Sequence, residues 1–446
     1  MPVSSTVTPG PVEGLPTRDS FRLTLDSQSD KSALPTAGTL PGANLKIAII
    51  HNFYQQPGGE DVVFEQERQL LERKGHKVIV YTRSNSELED SSSWNRAGLL
   101  KRIVWAEDSN AEVKGLLQRE KPDVVHIHNT FMVISPSIYK ACIDAGVPTV
   151  QTLHNFRLLC PASTLLRQGE VCEECIEKSL LQSIRYGCYR HSRPTTAAVA
   201  LMLAVHRVRG TWSNDISAYV ALTEFAKQKF LTNGFPPEKI FVKPNFVEPD
   251  PGERLGQGDY AFFLGRLTPE KGVSVLLDAW KLLPAPIPLK IAGDGPARAD
   301  LEAQAQRLGL QHVEFLGRLD RLEGHEVLKG ARFTVVPSLW YEGFAVVLVE
   351  SFACGVPILA SRIGAMAELI KDRVTGLHFN RGDPVDLAEK ASWAWDHVDE
   401  LAAMGRHARE EYLAKYTAES NYTILMNIYE QVIHQAAVSA GRPTGV

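Results

Sequence analysis

The chain has 446 residues, 44% of them hydrophobic, with a formal net charge of −4 and an isoelectric point near 6.4. That length supports two domains or more, and so balanced a charge gives no global basic field for a nucleic acid to follow. Six cysteines are too few for a disulfide scaffold and suit a reducing compartment, and no window reaches the run of about eighteen apolar residues that spans a membrane, so the expected setting is the cytoplasm.

Residues 1–43 are rich in Ser, Thr, Pro and Gly, carry no apolar run of secretory length, and read as a disordered tail. From residue 44 short β-rich runs alternate with helical stretches: "LKIAII", a helix over 61–74, "KVIVYT", "VVHIH", a helix over 137–145 and "PTVQTLH". After the turn-rich "EPDPGERLGQGD" a second series begins with "YAFFLG" and runs through "LKIAGDG", "VEFLG", "ARFTVVPS" and "PILAS" to "TGLHF", with helices between. Strand, helix, strand in repetition predicts parallel sheets covered by helices. The fold class is therefore α/β, with two Rossmann-like domains over 44–247 and 258–424 facing each other across a cleft. The closing helix, 418–435, sets Tyr422, Leu425, Ile428, Tyr429 and Val432 on one face, and 425–446 is expected to pack back towards the first domain. Ligands of such sheets bind beyond the carboxyl ends of the strands, which places the site in the cleft.

The segment "SLWYEGFAVVLVESFACGVPILAS" holds two carboxylates, Glu342 and Glu350, in otherwise oily surroundings. It reads as a loop, "LWYEG", followed by a helix, "FAVVLVESFA", with Glu350 about two turns inside it. The free amides of Gly343, Phe344, Ala345 and Val346 and the helix dipole favour an anion such as a phosphate, and Gly343 clears a side chain from its approach. Glu350, the helix's only charge, needs a fixed donor, for which a ribose diol is suited. The plainer alternative is that Glu342 caps the helix and Glu350 pairs with an arginine. In "LGRLTPEKG", Arg266 and Lys271 share one turn before a helix and can hold a diphosphate from two sides, and "AGDGP" is a second glycine-rich strand end of the same sheet.

These segments, in this order, resemble the retaining glycosyltransferases of family 4, whose fold is GT-B; the resemblance covers residues 45–435. It implies that Arg266 and Lys271 contact donor phosphates, that Glu350 binds the ribose hydroxyls, that Glu342 lies near the reacting carbon of the sugar, and that Gly343, Phe344 and Ala345 offer amides to the sugar or phosphate. "HNFYQQPGGED" resembles the family's glycine loop, so Gly58 and Gly59 let backbone approach the diphosphate. His154, ending "QTLH", matches the active-site histidine. Alternation is read as sending His126 and His128 to opposite faces, with His126 a hydrogen-bonded core residue. No Asp-x-Asp occurs in the sequence, so no cofactor or catalytic metal is expected. The implied reaction moves a hexose-type sugar from a nucleotide-diphosphate donor to a saccharide or lipid-linked acceptor, in cell-surface polysaccharide or glycoconjugate synthesis. The rivals are a GT-B epimerase or phosphorylase and a nucleotide-sugar-binding module without turnover.

Two features lie outside that pattern. An insertion over 160–188 carries Cys160, Cys172, Cys175 and Cys188 in C-x11-C-x2-C-x12-C spacing, which suits either a structural zinc or four separate thiols. The stretch 178–214 holds six Lys or Arg and no acid, interleaved with "AAVALMLAV". An anionic membrane face holding the enzyme at its periphery, or a buried helix with a solvated basic flank, explains it equally.

Overall fold

The computed structural model describes residues 44–55, 58–88, 96–439 and 441; the tail assigned to 1–43 lies outside the described residues. The first sheet is built from β1 (Lys46–Phe53), β2 (Lys77–Ser84), β3 (Val124–Ile127) and β4 (Thr149–Leu153). A small hairpin of β5 (Leu166–Arg167) and β6 (Glu170–Val171) follows, and β7 (Ala218–Ala221) and β8 (Ile240–Val242) complete the sheet. Its order is β2-β1-β3-β4-β7-β8, parallel throughout. The central strands β3, β4 and β7 are buried at every position, as expected where helices cover both faces of a parallel sheet.

The second sheet comprises β9 (Tyr260–Leu264), β10 (Leu289–Ala292), β11 (Val313–Gly317), β12 (Ala331–Val336), β13 (Ile358–Ser361) and β14 (Gly376–Phe379). Its order, β11-β10-β9-β12-β13-β14, is again all parallel. Each sheet reverses its winding once, between β1 and β3 and between β9 and β12. A crevice opens at each reversal beyond the strands' carboxyl ends, and the two crevices face one another.

The final helix, Ala418–Ser439, lays Leu425, Ile428, Tyr429 and Val432 against Ile47, Ile49, Val124, Val150 and Val220 of the first sheet. The chain thus ends on the domain in which it began. The helix of the oily segment runs Val346–Ala353, so Gly343 and Phe344 belong to the loop and Glu350 sits a little over one turn in. Ala345 is the N-cap residue, and its carbonyl accepts from Leu348. The amides exposed at the helix start are those of Val346 and Val347.

Candidate active site

One cleft of about 1170 Å³ lies between the facing strand ends. All ten residues assigned from the sequence to catalysis or donor binding line it: Gly58, Gly59, His154, Arg266, Lys271, Glu342, Gly343, Phe344, Ala345 and Glu350. Gly58 caps the helix Gly59–Arg73, whose first turn opens on the cleft, and a Cβ added at Gly58 or Gly59 would meet nothing within 4 Å. Backbone there is open to an anion.

From the other side, Arg266 and Lys271 follow β9. Lys271 ends a short 3₁₀ turn, Pro269–Lys271. Gly272 then takes φ +71° and packs so closely on the Pro337 carbonyl that a side chain would clash; only glycine suits both the angle and the approach. That packing brings the Lys271 turn against the loop after β12. Lys271 Nζ lies 2.7 Å from Glu342 Oε1, and Ser338 Oγ donates to the same oxygen at 2.7 Å. Glu342 is 5% exposed. Burial works to raise its pKa, but the Lys271 charge and the Ser338 bond outweigh it, and the carboxyl stays below the usual range. The pair thus holds Glu342 ionised, leaving two of the ammonium's three donors for another partner. Glu342 is the partner of a lysine rather than a helix cap. Glu350 pairs with no arginine among the described residues: its neighbour is His325 Nε2 at a long 3.4 Å, and it lines the cleft.

Gly343 departs from the sequence reading. An added Cβ would collide with the carbonyl oxygen of His154 across the cleft, so glycine here permits contact between the two domains rather than the approach of an anion. His154, just past β4, has Nε2 3.0 Å from His128 Nδ1. Burial, with His128 and His51 adding, holds it neutral. His126 and His128 share a face, their ring centroids 4.5 Å apart, because residues two apart in a strand point the same way; the reading that they oppose one another is corrected. His126 is a core residue, bonded to Tyr429 and Thr152.

Sequence reasoning missed Glu60, which lines the cleft beside Gly59. Asn155 Nδ2 donates to its Oε2 at 3.2 Å, while Oε1 is buried with no hydrogen-bond partner among the described residues. Burial, reinforced by the Asp61 charge, pushes its pKa up to about 8. Arg318, at the end of β11, is a further cation on the cleft wall. The insertion is not remote from the second domain: Arg381 pairs with Glu170 on the hairpin, and Val171 packs against the second domain's apolar residues. Its four cysteines are free thiols, Cys160 and Cys175 buried. Among the described residues no three of them bring their sulfurs within 4.8 Å of one another. The four are nonetheless neighbours: burial pushes the Cys175 thiol up to about 11, with Cys160 and Cys188 adding, and burial raises Cys188, with Cys160 and Cys172 adding. The helix Arg193–Val208 buries Val199, Met202 and Leu203 while Leu201 and Val208 stay exposed. Among the described residues no helix is long and apolar enough to cross a membrane.

Two parallel-sheet α/β domains whose strand ends meet across such a cleft form the GT-B architecture of nucleotide-sugar transferases. The Anabaena protein Alr3699/HepE, solved in complex with UDP, has the same fold: TM-score 0.60 at 18% identity, covering 88% of this chain and 100% of that one. The model for Glycosyltransferase Family 4 matches residues 57–251 and that for Glycosyl transferases group 1 matches 249–411; the chain belongs to this family of glycosyltransferases. Phosphatidyl-myo-inositol mannosyltransferase of Mycobacterium tuberculosis is 27% identical over 407 residues, 86% of this chain and 96% of the relative. D-rhamnosyltransferase WbpZ of Pseudomonas aeruginosa is 36% identical over 168 residues, spanning 37% of this chain and 43% of that protein.

Proposed function

We propose that the protein transfers a hexose-type sugar, with retention of configuration, from a nucleotide diphosphate to a hydroxyl of a saccharide or lipid-linked saccharide, in cell-surface polysaccharide or glycoconjugate synthesis. The observation that carries this reading is the single cleft that gathers the Lys271–Glu342 pair, Glu350 and His154 beneath the open amides of two helix starts. In this scheme Arg266 and Lys271 stabilise charge developing on the departing diphosphate, and Glu342 faces the reacting carbon. The acceptor hydroxyl enters on the side from which the diphosphate leaves and passes its proton to that phosphate. No metal is required for these steps, since the cations and amides supply the positive field. The complex of the fold neighbour with UDP and glucose supports a nucleotide-sugar donor. The relative's name, a mannosyltransferase for phosphatidyl-myo-inositol, supports a lipid-linked acceptor.

A panel of UDP- and GDP-sugars separates this from its rivals. A transferase releases nucleoside diphosphate slowly even without acceptor, an epimerase returns an isomeric nucleotide sugar, and a binding module releases nothing. Glu350→Gln should weaken nucleotide binding by about tenfold, near 1.4 kcal/mol, because the ribose diol loses a charged acceptor in ground and transition state alike. Calorimetry that finds unchanged affinity removes the ribose assignment.

Glu60 makes the donor site sensitive to pH. A carboxyl whose pKa is raised to about 8 is neutral below that value and anionic above it. Its charge would stand close to an incoming diphosphate. Affinity for UDP or GDP should fall roughly tenfold as pH rises through about 8, a like-charge cost of about 1–2 kcal/mol at this separation. Glu60→Gln should bind equally well on both sides of pH 8; a variant that keeps the wild-type slope assigns the titration elsewhere.

Peripheral membrane contact is the second part of the proposal. Exposed Leu181, Tyr186, Leu201 and Val208 lie among Arg185, Arg193 and Arg209 on the acceptor-side domain. Binding to vesicles containing anionic lipid should be measurable at low salt and fade as salt screens the surface charge. No sedimentation with anionic vesicles at low salt would return these residues to ordinary surface.

A further inference from the structure

Behind His154 lies a fully buried chain of ionisable groups that the transfer scheme does not use. His128 Nδ1 is 3.0 Å from His154 Nε2, and His128 Nε2 is 3.2 Å from Glu67 Oε1. Glu67 Oε2 is 2.7 Å from Lys243 Nζ, which also donates to Asn421 Oδ1 at 3.2 Å. His126 Nδ1 stands 2.9 Å from Glu67 Oε1 and 2.7 Å from the Tyr429 hydroxyl. Glu67 and His126 are 0% exposed, Lys243 1% and His128 3%. Glu67, His126 and His128 converge closely, the two imidazoles on Oε1 and the Lys243 ammonium, a cation already paired with the carboxylate, on Oε2.

Proton bookkeeping along the chain leaves one arrangement. Burial works to raise the Glu67 pKa, but Lys243 and His126 overcome it, and the carboxylate stays ionised and can only accept. His128 Nε2 makes no aligned hydrogen bond, but a carboxylate oxygen 3.2 Å away repels a lone pair and attracts an N–H, so this nitrogen carries the proton. His128 is neutral, since burial pushes its pKa down to about 3, so its Nδ1 is a lone pair. The nitrogen facing that lone pair, His154 Nε2, must then be the N–H. We propose that Glu67 and His128 are positioning residues that hold His154 as its Nε2–H tautomer, reserving the Nδ1 lone pair for a substrate hydroxyl in the cleft. This rests on reading the His154 cleft as the transfer site, but the tautomer itself needs no substrate to be seen.

The experiment is a two-bond nitrogen–proton correlation spectrum of the full chain labelled with ¹⁵N-histidine, which reports the tautomer of each ring. Wild type should show His154 protonated at Nε2 alone. In Glu67→Gln the amide can donate to His128 Nε2, which reverses the chain and should give a mixture containing Nδ1–H His154. Because Glu67→Gln strands Lys243, the double variant Glu67→Gln with Lys243→Met replaces the buried ion pair with neutral groups and should show the same mixture. His154 protonated at Nδ1 in wild type, or pure Nε2–H in the folded variants, overturns the proposal. A protein without transferase activity but with these spectra would sink the function and leave the relay standing.

Discussion

Lys271→Ala is expected to slow sugar transfer by about 2–4 kcal/mol, in the range measured when a preorganised donor to a developing anion is removed. It should also destabilise the fold. Glu342, 5% exposed, loses the cation 2.7 Å away, and a carboxylate left buried without its partner costs about 3–5 kcal/mol before relief from the retained Ser338 bond. The two effects separate in the double variant Lys271→Ala with Glu342→Gln, which removes the stranded charge. Its melting temperature should recover while its rate stays low. Acid titration gives an independent check. In wild type the Glu342 pKa is depressed below its usual value, so the pair contributes stability that is present above about pH 4.5 and lost as pH falls through the folded value. In Lys271→Ala burial acts with its main opponent gone, the pKa rises, and stability should instead fall as pH rises past the unfolded value. A variant whose melting temperature follows the wild-type pH curve would show that the pair does not set the ionisation of Glu342. The rate of wild type should be the same in magnesium and in EDTA, since Lys271 and Arg266 carry the positive charge in this scheme.

The parts of this site that could be read from sequence are those confined to one strand end and its loop. "LGRLTPEKG" and "LWYEGFAVVLVE" each announce a strand, a turn and a helix within about a dozen residues, and the regular alternation of such units gave the two-sheet architecture. Three errors have other origins. The start of the Val346 helix was set by the apolar run, yet the cap is decided by where the backbone turns, and Gly343 is fixed by the His154 carbonyl of the other domain. The faces of His126 and His128 follow from strand periodicity and were misassigned. Glu67 escaped notice although the clue was present: it falls on the stripe Val63, Phe64, Glu67, Leu70, Leu71, where every other member is buried and apolar. A charge in that position calls for a buried partner. Lys243 is 176 residues away in sequence, so nothing local named it. The cysteine spacing, by contrast, was legible as a local pattern.

Gly343→Ala should be among the most damaging single-methyl changes in the chain. A Cβ at this position would overlap the His154 carbonyl oxygen, and that contact joins a loop of one domain to a strand end of the other. Neither side can yield by rotating a side chain, because both partners are backbone. The loop and the strand end must separate, carrying Glu342 away from His154 and Glu60. Displacing reacting groups by about 1 Å can cost roughly a hundredfold in rate, so the catalytic constant should fall by about that factor. Nucleotide affinity should change little, since Glu350, Arg266 and Lys271 all stand on the second domain and move together. Gly59→Ala is the informative contrast. Space around that position is open and it begins a helix, where alanine is favoured over glycine by up to about 1 kcal/mol. That variant should be at least as stable as wild type, yet its methyl group would intrude on the proposed path of the diphosphate. Its donor KM should rise while Gly343→Ala keeps a near-normal one. If Gly343→Ala instead weakened nucleotide binding and left turnover intact, the glycine would be serving the anion after all, and the domain contact through His154 would carry no catalytic weight.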